Sequence, residues 1–307
     1  MTTAPLAIAK PIAEALAAGK PVVALETTLV THGLPRGEGL GAALALEAEV
    51  AKAGAVPATI GVLDDVARVG FTRAELERLA GATNAAKLNL SNLAAGVASG
   101  EPGSTTVAAT LQLAARAGIE VFATGGIGGV HRGAAESDDV SSDLAALARY
   151  PVAVVCAGAK AVLDLARTVE RLETLGVPVL GYHTSSFPAF YRRDSGLPVD
   201  RAYDSLGDLA RAIRVHYELG GPTGVVVANP IPLEHEMPEE LYRRSLAAAL
   251  EAAAAAGVRG RAVTPFLLER LRALTEGRSV FSNLALLKHN ARVAGELAVA
   301  LAGMRRG

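Results

Sequence analysis

Residues 121–160 read VFATGGIGGVHRGAAESDDVSSDLAALARYPVAVVCAGAK, a stretch that combines strand-like runs with a long polar loop. Two short apolar runs, Ile119 to Ala123 and Val152 to Cys156, flank its long polar loop. Short β-branched runs bounded by glycine are typical of buried strands, and open α/β sheets bind ligands at the carboxyl ends of such strands. The sequence therefore predicts an α/β fold in which the glycines, the polar loop and Lys160 lie along one edge of a sheet.

The composition indicates a soluble protein with a large core. Half of the 307 residues are hydrophobic, and 30 Lys and Arg against 31 Asp and Glu give a net charge of −1. That balance gives no bulk attraction to nucleic acid or to an anionic membrane. The chain lacks a signal-peptide pattern and the roughly 20-residue apolar run of a membrane span. A single cysteine, Cys156, fits a reducing cytoplasm and reads as a small buried hydrophobe. We expect one cytoplasmic domain over residues 1–307.

Hydrophobic periodicity predicts the elements around this stretch. Strands are predicted at Val22 to Leu25, Val177 to Gly181 and Gly224 to Ala228, and two more over 58–69 turn at Asp64-Asp65. That aspartate pair is compatible with a metal site, although turn chemistry is the commoner explanation. Helices are predicted over 6–18, 40–53 with Glu47 on the outer side, 247–256, 264–275 and 283–301, and a capping box at Thr72 and Glu75 starts another.

Glu26 follows directly after the predicted strand Val22 to Leu25. A carboxylate at the exit of a buried strand is partly desolvated, which raises its pKa and suits it to general acid catalysis. A helix cap or a salt bridge to an arginine fits the sequence equally well.

Two further stretches suggest an anion site. In GEPGSTTVAATL, residues 100–111, the hydroxyls of Ser104, Thr105 and Thr106 precede an apolar helix, whose N–H groups and dipole attract phosphate. Ordinary N-capping is the alternative. Lys87 stands alone in NAAKLNLSNLAAG and would serve either as a point charge for phosphate or as a solvated cation.

The central loop carries several candidate ligands. TGGIGGVHRG has His131 where a dinucleotide-binding fingerprint needs its third glycine, so the sequence gives little support to a dinucleotide site. His131 itself would contact phosphate, move a proton or play a structural part. ESDDVSSDL, residues 136–144, holds four carboxylates that suit Mg²⁺ or Mn²⁺. A solvated acidic loop competes with the metal site and is favoured on composition alone.

Lys160 is predicted to start a helix that ends near Gly176, where burial and the helix dipole would favour a neutral, nucleophilic amine. Outside such surroundings it is an exposed cation. The aromatic loop over 182–196 predicts a lid, a subunit contact or a packed surface loop. Asn283 is predicted at the start of the last helix, as a ligand contact or a cap, and the segment around His235 lacks the HExxH spacing of a zinc site.

Taken together, several motifs in one order resemble a known family over essentially the whole chain. They are ALETT (24–28), AKLNLSNL (86–93), PGSTTV (102–107), ATGGIGGVHRG (123–133), DVSSDL (139–144), CAGAK (156–160), ANPIP (228–232) and SNLALLKHNA (282–291). The chain resembles the pseudouridine-5′-phosphate glycosidases, also called the indigoidine synthase A family.

The resemblance implies a three-layer α/β/α sandwich with a central mixed, mainly parallel sheet, assembled as a homotrimer. It implies reversible cleavage of pseudouridine 5′-phosphate to uracil and ribose 5-phosphate with a divalent metal, usually Mn²⁺. Lys160 matches the family nucleophile, Glu26 the proton donor and Asp139 the metal ligand. The positions that match substrate contacts are Lys87, Val107, Ser141, Ser142 and Asp143, to which the residues themselves add Thr105, Thr106, His131 and Asn283 as candidates.

Two other functions share parts of this site. A Schiff-base lyase or aldolase acting on a sugar phosphate would use the same lysine and phosphate groups. A sugar-phosphate-binding module would use the phosphate groups without turnover. Release of free uracil separates the family reaction from both.

Overall fold

Eleven strands form one sheet in the part of the chain that the structure describes. The computed structural model describes residues 5–34, 37–258 and 263–305. In chain order the strands are β1 (Leu6–Ile8), β2 (Val22–Leu25), β3 (Val56–Leu63), β4 (Val66–Val69), β5 (Ala86–Leu88), β6 (Gly103–Thr105), β7 (Val121–Ala123), β8 (Ala153–Cys156), β9 (Val179–Tyr182), β10 (Arg201–Tyr203) and β11 (Val225–Ala228).

The sheet is mixed but mainly parallel. Its order is β1-β4-β3-β2-β7-β8-β11-β9-β10, with β6 paired to β3 and β5 paired to β6. β3 pairs antiparallel with β4 and β6, and the other described pairs are parallel. The central strands β2, β8 and β11 consist of apolar residues that are buried along their whole length, as expected for parallel strands covered on both faces. The predicted three-layer α/β/α sandwich is confirmed.

Helices cover the sheet. The described residues contain α1 (Lys10–Ala17), α2 (Gly39–Lys52), α3 (Arg73–Gly81), α4 (Leu93–Ala98), α5 (Val107–Ala117), α6 (Ala134–Ser137), α7 (Ser142–Leu147), α8 (Leu165–Thr174), α9 (Leu206–Glu218), α10 (Glu239–Ala255), α11 (Val263–Leu274) and α12 (Arg278–Met304), with a π-helical turn at Leu29–Gly33 and a 3₁₀ turn at Leu233–His235. α12 packs on β2, β7 and β8 beside α2 and α9, and α5 packs on β3 and β4 beside α7. Among the helices described, none combines the length and apolarity needed to cross a bilayer.

The N-terminal segment differs from the prediction of a helix over 6–18. Leu6–Ile8 is instead a strand that pairs in parallel with β4, and α1 begins only at Lys10. Pro11 lies in the first turn of α1, where its fixed φ and missing N–H favour the start of a helix.

Three corrections change how the site is built. α8 begins at Leu165 behind the cap of Asp164, so Lys160 lies in the connection before the helix, and the prediction that it starts a helix is wrong. Gly103–Thr105 forms β6, a strand that was not predicted from the sequence. α12 begins at Arg278, so Asn283 is inside this helix and does not cap it.

Of three other local predictions, two are confirmed and one is wrong. The turn at Asp64-Asp65 is confirmed, and Asp64 is bound by Arg78. The capping box of Thr72 and Glu75 is also confirmed. Glu47 is not on the outer side of α2, because it is partly buried and accepts a hydrogen bond from the Thr59 hydroxyl.

The aromatic loop over 182–196 is packed rather than open. Phe187, Phe190 and Tyr191 are buried, and the Phe190 amide donates to the carbonyl of Ala157. The loop therefore supports the segment that leads to Lys160. Cys156 is buried as predicted, and burial raises the pKa of its thiol to about 12.

This packing predicts a large cost for Gly158→Ala. Gly158 has φ +78°, and a Cβ there would collide with the carbonyl oxygen of Pro188. We expect a loss of roughly 3 kcal/mol in the free energy of unfolding, combining left-handed backbone strain with overpacking. Gly176→Ala is the matched control, since Gly176 has φ +66° and nothing within 4 Å of its added Cβ. It should lose only about 1 kcal/mol in urea unfolding, and equal losses would contradict the account.

Candidate active site

Candidate functional residues leave neighbouring parallel strands at the same edge of the sheet. Leu25 of β2 pairs with Ala123 of β7, so the next residues, Glu26 and Thr124, leave the sheet side by side. β8 lies next to β7 and leads to Lys160. The prediction that the glycines and Lys160 lie along one edge is confirmed, and the structure adds Glu26 to that edge.

Glu26 is a buried acid with one defined partner. Glu26 is only 8% exposed, and its Oε1 accepts a hydrogen bond of 2.5 Å from the Thr124 hydroxyl. Burial raises the pKa of Glu26, opposed mainly by the positive charge of Lys160. Because burial is the larger effect, the carboxyl group is easier to protonate than a free glutamate, as general acid catalysis requires.

Two lysines share this space with Glu26. Burial lowers the pKa of Lys87, the charge of Lys160 lowers it further, and the charges of Glu26 and Asp143 oppose both effects. Within residues 5–34, 37–258 and 263–305, no carboxylate oxygen lies within 4.0 Å of either ammonium group. Two nearby cations without a direct counterion favour an anionic ligand.

Backbone hydrogen bonds join residues 157–160, which end at Lys160, to residues 125–129, here called the glycine loop. The Ile127 amide donates to Gly158 and the Lys160 amide donates to Ile127, both at 3.0 Å. These bonds continue the pairing of β7 and β8 beyond the strand ends. They hold the Lys160 backbone at the site although α8 begins five residues later.

The glycine loop is shaped by protein packing. A Cβ on Gly128 would collide with the side chains of Ser141 and Asp143, and one on Gly129 would collide with Thr168. Glycine is therefore needed here for close approach of these side chains, which removes the weak case for a dinucleotide fingerprint.

Asp143 has a different position from the one predicted. It is 4% exposed, and its two oxygens accept hydrogen bonds from the Ala108 amide at 2.9 Å and the Gly128 amide at 2.7 Å. The carboxylate thus joins the N-terminus of α5 to the glycine loop, where a negative charge also complements the helix dipole. Asp143 therefore supports the site from within, and its contact with substrate stays a prediction.

The predicted hydroxyl cluster lies mostly beneath the site. The Thr105 hydroxyl is fully buried and donates to the carbonyl of Ile60 at 2.7 Å, so its hydrogen is not free to bind phosphate. Thr106 is partly buried and caps α5. The Val107 residue is fully buried, and its contact with substrate stays a prediction.

Asp139 and His131 lie together at the rim. Nδ1 of His131 is 3.9 Å from Oδ2 of Asp139, and the His131 amide donates to the Asp139 carbonyl. Burial lowers the pKa of His131, Asp139 opposes this effect, and the charges of Lys160 and Lys87 reinforce it. His131 therefore shares the electrostatic environment of the two lysines.

A metal has few protein ligands here. Among the described residues, no group of three or more His, Cys, Asp or Glu side chains could hold an ion. The Asp139 side chain is 33% exposed and has a carboxylate oxygen to offer. One carboxylate fits an ion that keeps most of its water, as Mg²⁺ and Mn²⁺ do.

The remaining predicted contacts are at the border of the site. Ser141 is partly buried and caps α7, with its Oγ accepting from the Asp143 amide at 3.2 Å, and Ser142 is the first residue of α7. Asn283 faces the glycine loop, since a Cβ on Gly125 would lie 3.4 Å from its Oδ1. Asn283 also lines a cavity of about 90 Å³ with His32.

Sequence reasoning missed two features of the site. Thr124 was not singled out, although it occupies the same place after β7 that Glu26 occupies after β2. Asn290 of α12 is only 1% exposed, and its side-chain nitrogen donates to the Thr124 carbonyl at 2.8 Å. No sequence signal marked Asn290, because a buried asparagine in a helix is visible only from its partners.

A cleft of about 880 Å³ lies elsewhere, between β10 and α9. It is lined in part by the exposed side chains of Val215 and Leu219. None of Glu26, Lys87 and Lys160 lines it. Convergent titratable groups identify a reactive site better than cleft size, so the edge around Glu26 and Lys160 is the candidate active site.

Comparison with known proteins finds relatives over nearly the whole chain. The family model described as indigoidine synthase A-like protein matches residues 11–300. A pseudouridine-5′-phosphate glycosidase from Jannaschia sp. (strain CCS1) is 52% identical over 299 residues, covering 97% of this chain and 99% of the relative. One from Cupriavidus pinatubonensis is 51% identical over 302 residues, covering 98% and 96%.

Solved structures extend the similarity to the fold. The prealnumycin C-glycosynthase AlnA, crystallised in complex with ribulose 5-phosphate, is similar with a TM-score of 0.91 and 39% identity, and the match covers 99% of each chain. An indigoidine synthase A-like protein from Thermotoga maritima has a TM-score of 0.86 and 37% identity, covering 97% and 96%.

The position of Asp143 predicts a stability role. Asp143→Asn places an amide donor against one of the two backbone N–H groups, so we expect a loss of about 3 kcal/mol in urea unfolding. Asp138→Asn removes a nearby exposed carboxylate and should change the free energy of unfolding by less than about 0.5 kcal/mol. Equal stability of the two variants would show that the two N–H contacts of Asp143 do not stabilise the fold.

Proposed function

The chain belongs to the family of indigoidine synthase A-like proteins, and we propose that it reversibly cleaves pseudouridine 5′-phosphate to uracil and ribose 5-phosphate. It is an enzyme that acts on a C-glycosidic bond, as its close relatives' names indicate. The observation that carries the specific proposal is the meeting of Glu26 and Lys160 at one sheet edge, where the charge of Lys160 acts on the pKa of Glu26.

The bond to be broken explains the need for a lysine. It joins C5 of uracil to C1′ of ribose, so the atom that leaves C1′ is a carbon, and there is no glycosidic oxygen for an acid to protonate. The carboxylate pair of ordinary glycosidases therefore does not suffice. An amine that bonds to C1′ supplies an electron pair that a carboxylate cannot supply, because its nitrogen can form a C=N bond.

The proposed reaction has three steps. The C1′–O4′ bond breaks, O4′ takes a proton, and the Lys160 nitrogen bonds to C1′ and loses a proton. Next, C5 takes a proton and the C1′–C5 bond breaks, with its electron pair staying on the departing uracil while the nitrogen lone pair forms the C1′=N bond. Water then adds to C1′, and cleavage of the C1′–N bond releases ribose 5-phosphate and free Lys160.

Glu26 is the proposed proton carrier in these steps. Its raised pKa keeps it more protonated than a free glutamate near neutral pH, so it can supply a proton to O4′ or C5. After a proton is given up, the nearby positive charges of Lys160 and Lys87 stabilise the carboxylate. Glu26 can then accept a proton from the next step.

The phosphate is proposed to bind to Lys87, His131 and Thr106. Lys87 and His131 lie in one electrostatic environment, and Lys87 has no carboxylate partner within 4.0 Å among the described residues. The complex of AlnA with ribulose 5-phosphate supports a sugar phosphate as the class of ligand. Asn283, Ser141 and Ser142 complete the proposed substrate contacts from the border.

Asp139 is the proposed holder of a hydrated Mn²⁺. A divalent ion there would supply positive charge that orients substrate oxygens. The protein's part is the partly exposed carboxylate of Asp139, steadied by the backbone bond from His131. We further propose, from the family resemblance, that the enzyme works as a homotrimer in the cytoplasm.

The covalent step is tested by trapping. Wild-type protein incubated with pseudouridine 5′-phosphate and Mn²⁺ should release uracil, and borohydride should leave a pentose-phosphate adduct on Lys160 by intact mass and peptide mapping. Lys160→Arg keeps the charge but should lose turnover by about 10⁴-fold or more and form no adduct. The exposed Lys20, which precedes β2, offers Lys20→Ala as a control with normal activity.

Each outcome of the trapping experiment is informative. Uracil release without an adduct would reject the covalent role of Lys160 while keeping the reaction. An adduct without uracil release would favour a lyase or aldolase acting on a sugar phosphate. Binding without either signal would favour a sugar-phosphate-binding module.

The metal proposal is tested by Asp139→Asn. Removal of the carboxylate charge should weaken Mn²⁺ binding, so activity should fall to the level of chelator-treated wild type and show little further loss with chelator. Direct Mn²⁺ titration by electron paramagnetic resonance checks binding without activity. Asp138→Asn is the neighbouring control, and Mn²⁺ affinity that is the same in both variants would exclude Asp139 as the ligand.

A further inference from the structure

A buried path of hydrogen bonds connects α12 to Glu26. The side-chain nitrogen Nδ2 of Asn290 donates to the backbone carbonyls of Thr124 at 2.8 Å and Gly125 at 3.4 Å. Its Oδ1 accepts from the side chain of Asn229 at 2.9 Å. The Thr124 hydroxyl completes the path by donating to Oε1 of Glu26.

The path is isolated from solvent. Asn290, Asn229 and Thr124 are 1%, 2% and 2% exposed. Their neighbours along the chain, including Leu286, Leu287 and Ala291, belong to the apolar core. Burying two amides in such a core is unfavourable unless their polar atoms are paired, so the orientation of Asn290 is strongly constrained.

The direction of each bond adds a second constraint. Because Oδ1 of Asn290 accepts from Asn229, the Asn290 nitrogen must face the end of β7. That nitrogen binds the carbonyl of the residue whose own hydroxyl binds Glu26. A shift of the Thr124 backbone would therefore move its hydroxyl relative to the acid.

We infer that Asn290 is a positioning residue that acts through Thr124 to hold the Glu26 carboxyl in the orientation and protonation state its role requires. This inference rests on the proposed function only for the role of Glu26 as proton carrier. Among the described residues, the one hydrogen bond to the Glu26 carboxyl is accepted by Oε1, so Thr124 alone fixes this side chain by hydrogen bonding.

The effect on proton affinity has a definite sign. A hydroxyl that donates to a carboxylate favours the ionised form, so the Thr124 hydroxyl lowers the pKa of Glu26 against the larger effect of burial. The charged groups that act on Glu26 are Lys160 and Lys87, which lower its pKa, and Asp143, which raises it. Loss of the Thr124 contact leaves these charges in place and raises the pKa further.

The experiment measures Glu26 directly. Protein labelled with ¹³C at glutamate side-chain carboxyls is titrated by NMR, and the Glu26 signal is assigned by its loss in Glu26→Gln. Thr124→Val should move the Glu26 titration up by about one pH unit, and Thr124→Ser should restore most of the wild-type value. Asn290→Leu, of similar volume, should move it in the same direction.

A double variant tests whether Asn290 acts through Thr124. In the Thr124→Val background, Asn290→Leu should add almost nothing to the shift, because the shared contact is already gone. The variants should also lower kcat for uracil release roughly tenfold to a hundredfold with little change in KM. Thr223→Val is the matched control, since it removes another buried hydroxyl, bonded to the Gly176 carbonyl, and should shift nothing.

Two results would overturn the inference. One is an unchanged Glu26 titration in a folded Asn290→Leu protein, and the other is full additivity with Thr124→Val. If Asn290→Leu does not fold, Asn229→Ala tests the same path, because it frees Oδ1 of Asn290, and an unchanged titration there overturns the inference too. Failure of wild-type protein to release uracil would reject the proposed function and leave the NMR result standing.

Discussion

Parallel pairing of β2, β7, β8 and β11 is the constraint on which the site depends. These strands are only three or four residues long, and their carboxyl ends share one edge. The first residue beyond a strand is therefore fixed in space by the sheet itself. Glu26, Thr124 and Asn229 all hold that position after their strands. Lys160 reaches the same edge because two backbone hydrogen bonds prolong the pairing beyond β7 and β8.

Burial controls the electrostatics at that edge. It is the largest cause of the raised pKa of Glu26 and of the lowered pKa of Lys87, so an acid and a base both move toward neutral pH. The opposite charges of Glu26 and Lys87 shift the two pKa values apart again, but this effect is smaller than that of burial. Because each pKa unit corresponds to about 1.4 kcal/mol, every unit of convergence makes proton exchange between such groups less costly by that amount. A solvated edge with the same residues would lack this property.

The sequence predicted the parts of this arrangement that depend on local pattern. Val22–Leu25 was placed correctly, because a short apolar run before Glu26 has few alternatives in an α/β chain. The start of α8 was misplaced because the apolar residues 161–163 also fit a helix, although Asp164 is the N-cap at which α8 begins. Thr105 looked like a phosphate ligand, because its sequence neighbours do not reveal that its hydroxyl binds Ile60 across the sheet. Asn290 depends wholly on contacts distant in sequence, and periodicity carries no information about them.

The acidic segment illustrates how tertiary contacts divide one sequence motif between two tasks. Asp143 lies in the first turn of α7 and turns inward to bind two backbone amides, whereas Asp139 precedes the helix and stays at the rim. Each oxygen of the inward carboxylate accepts a backbone N–H, whereas the carboxylate of Asp139 stays partly exposed. Any divalent ion at the rim must then complete its shell with water and substrate oxygens. Its affinity would consequently rise when substrate is present, because the substrate supplies ligands that the protein lacks.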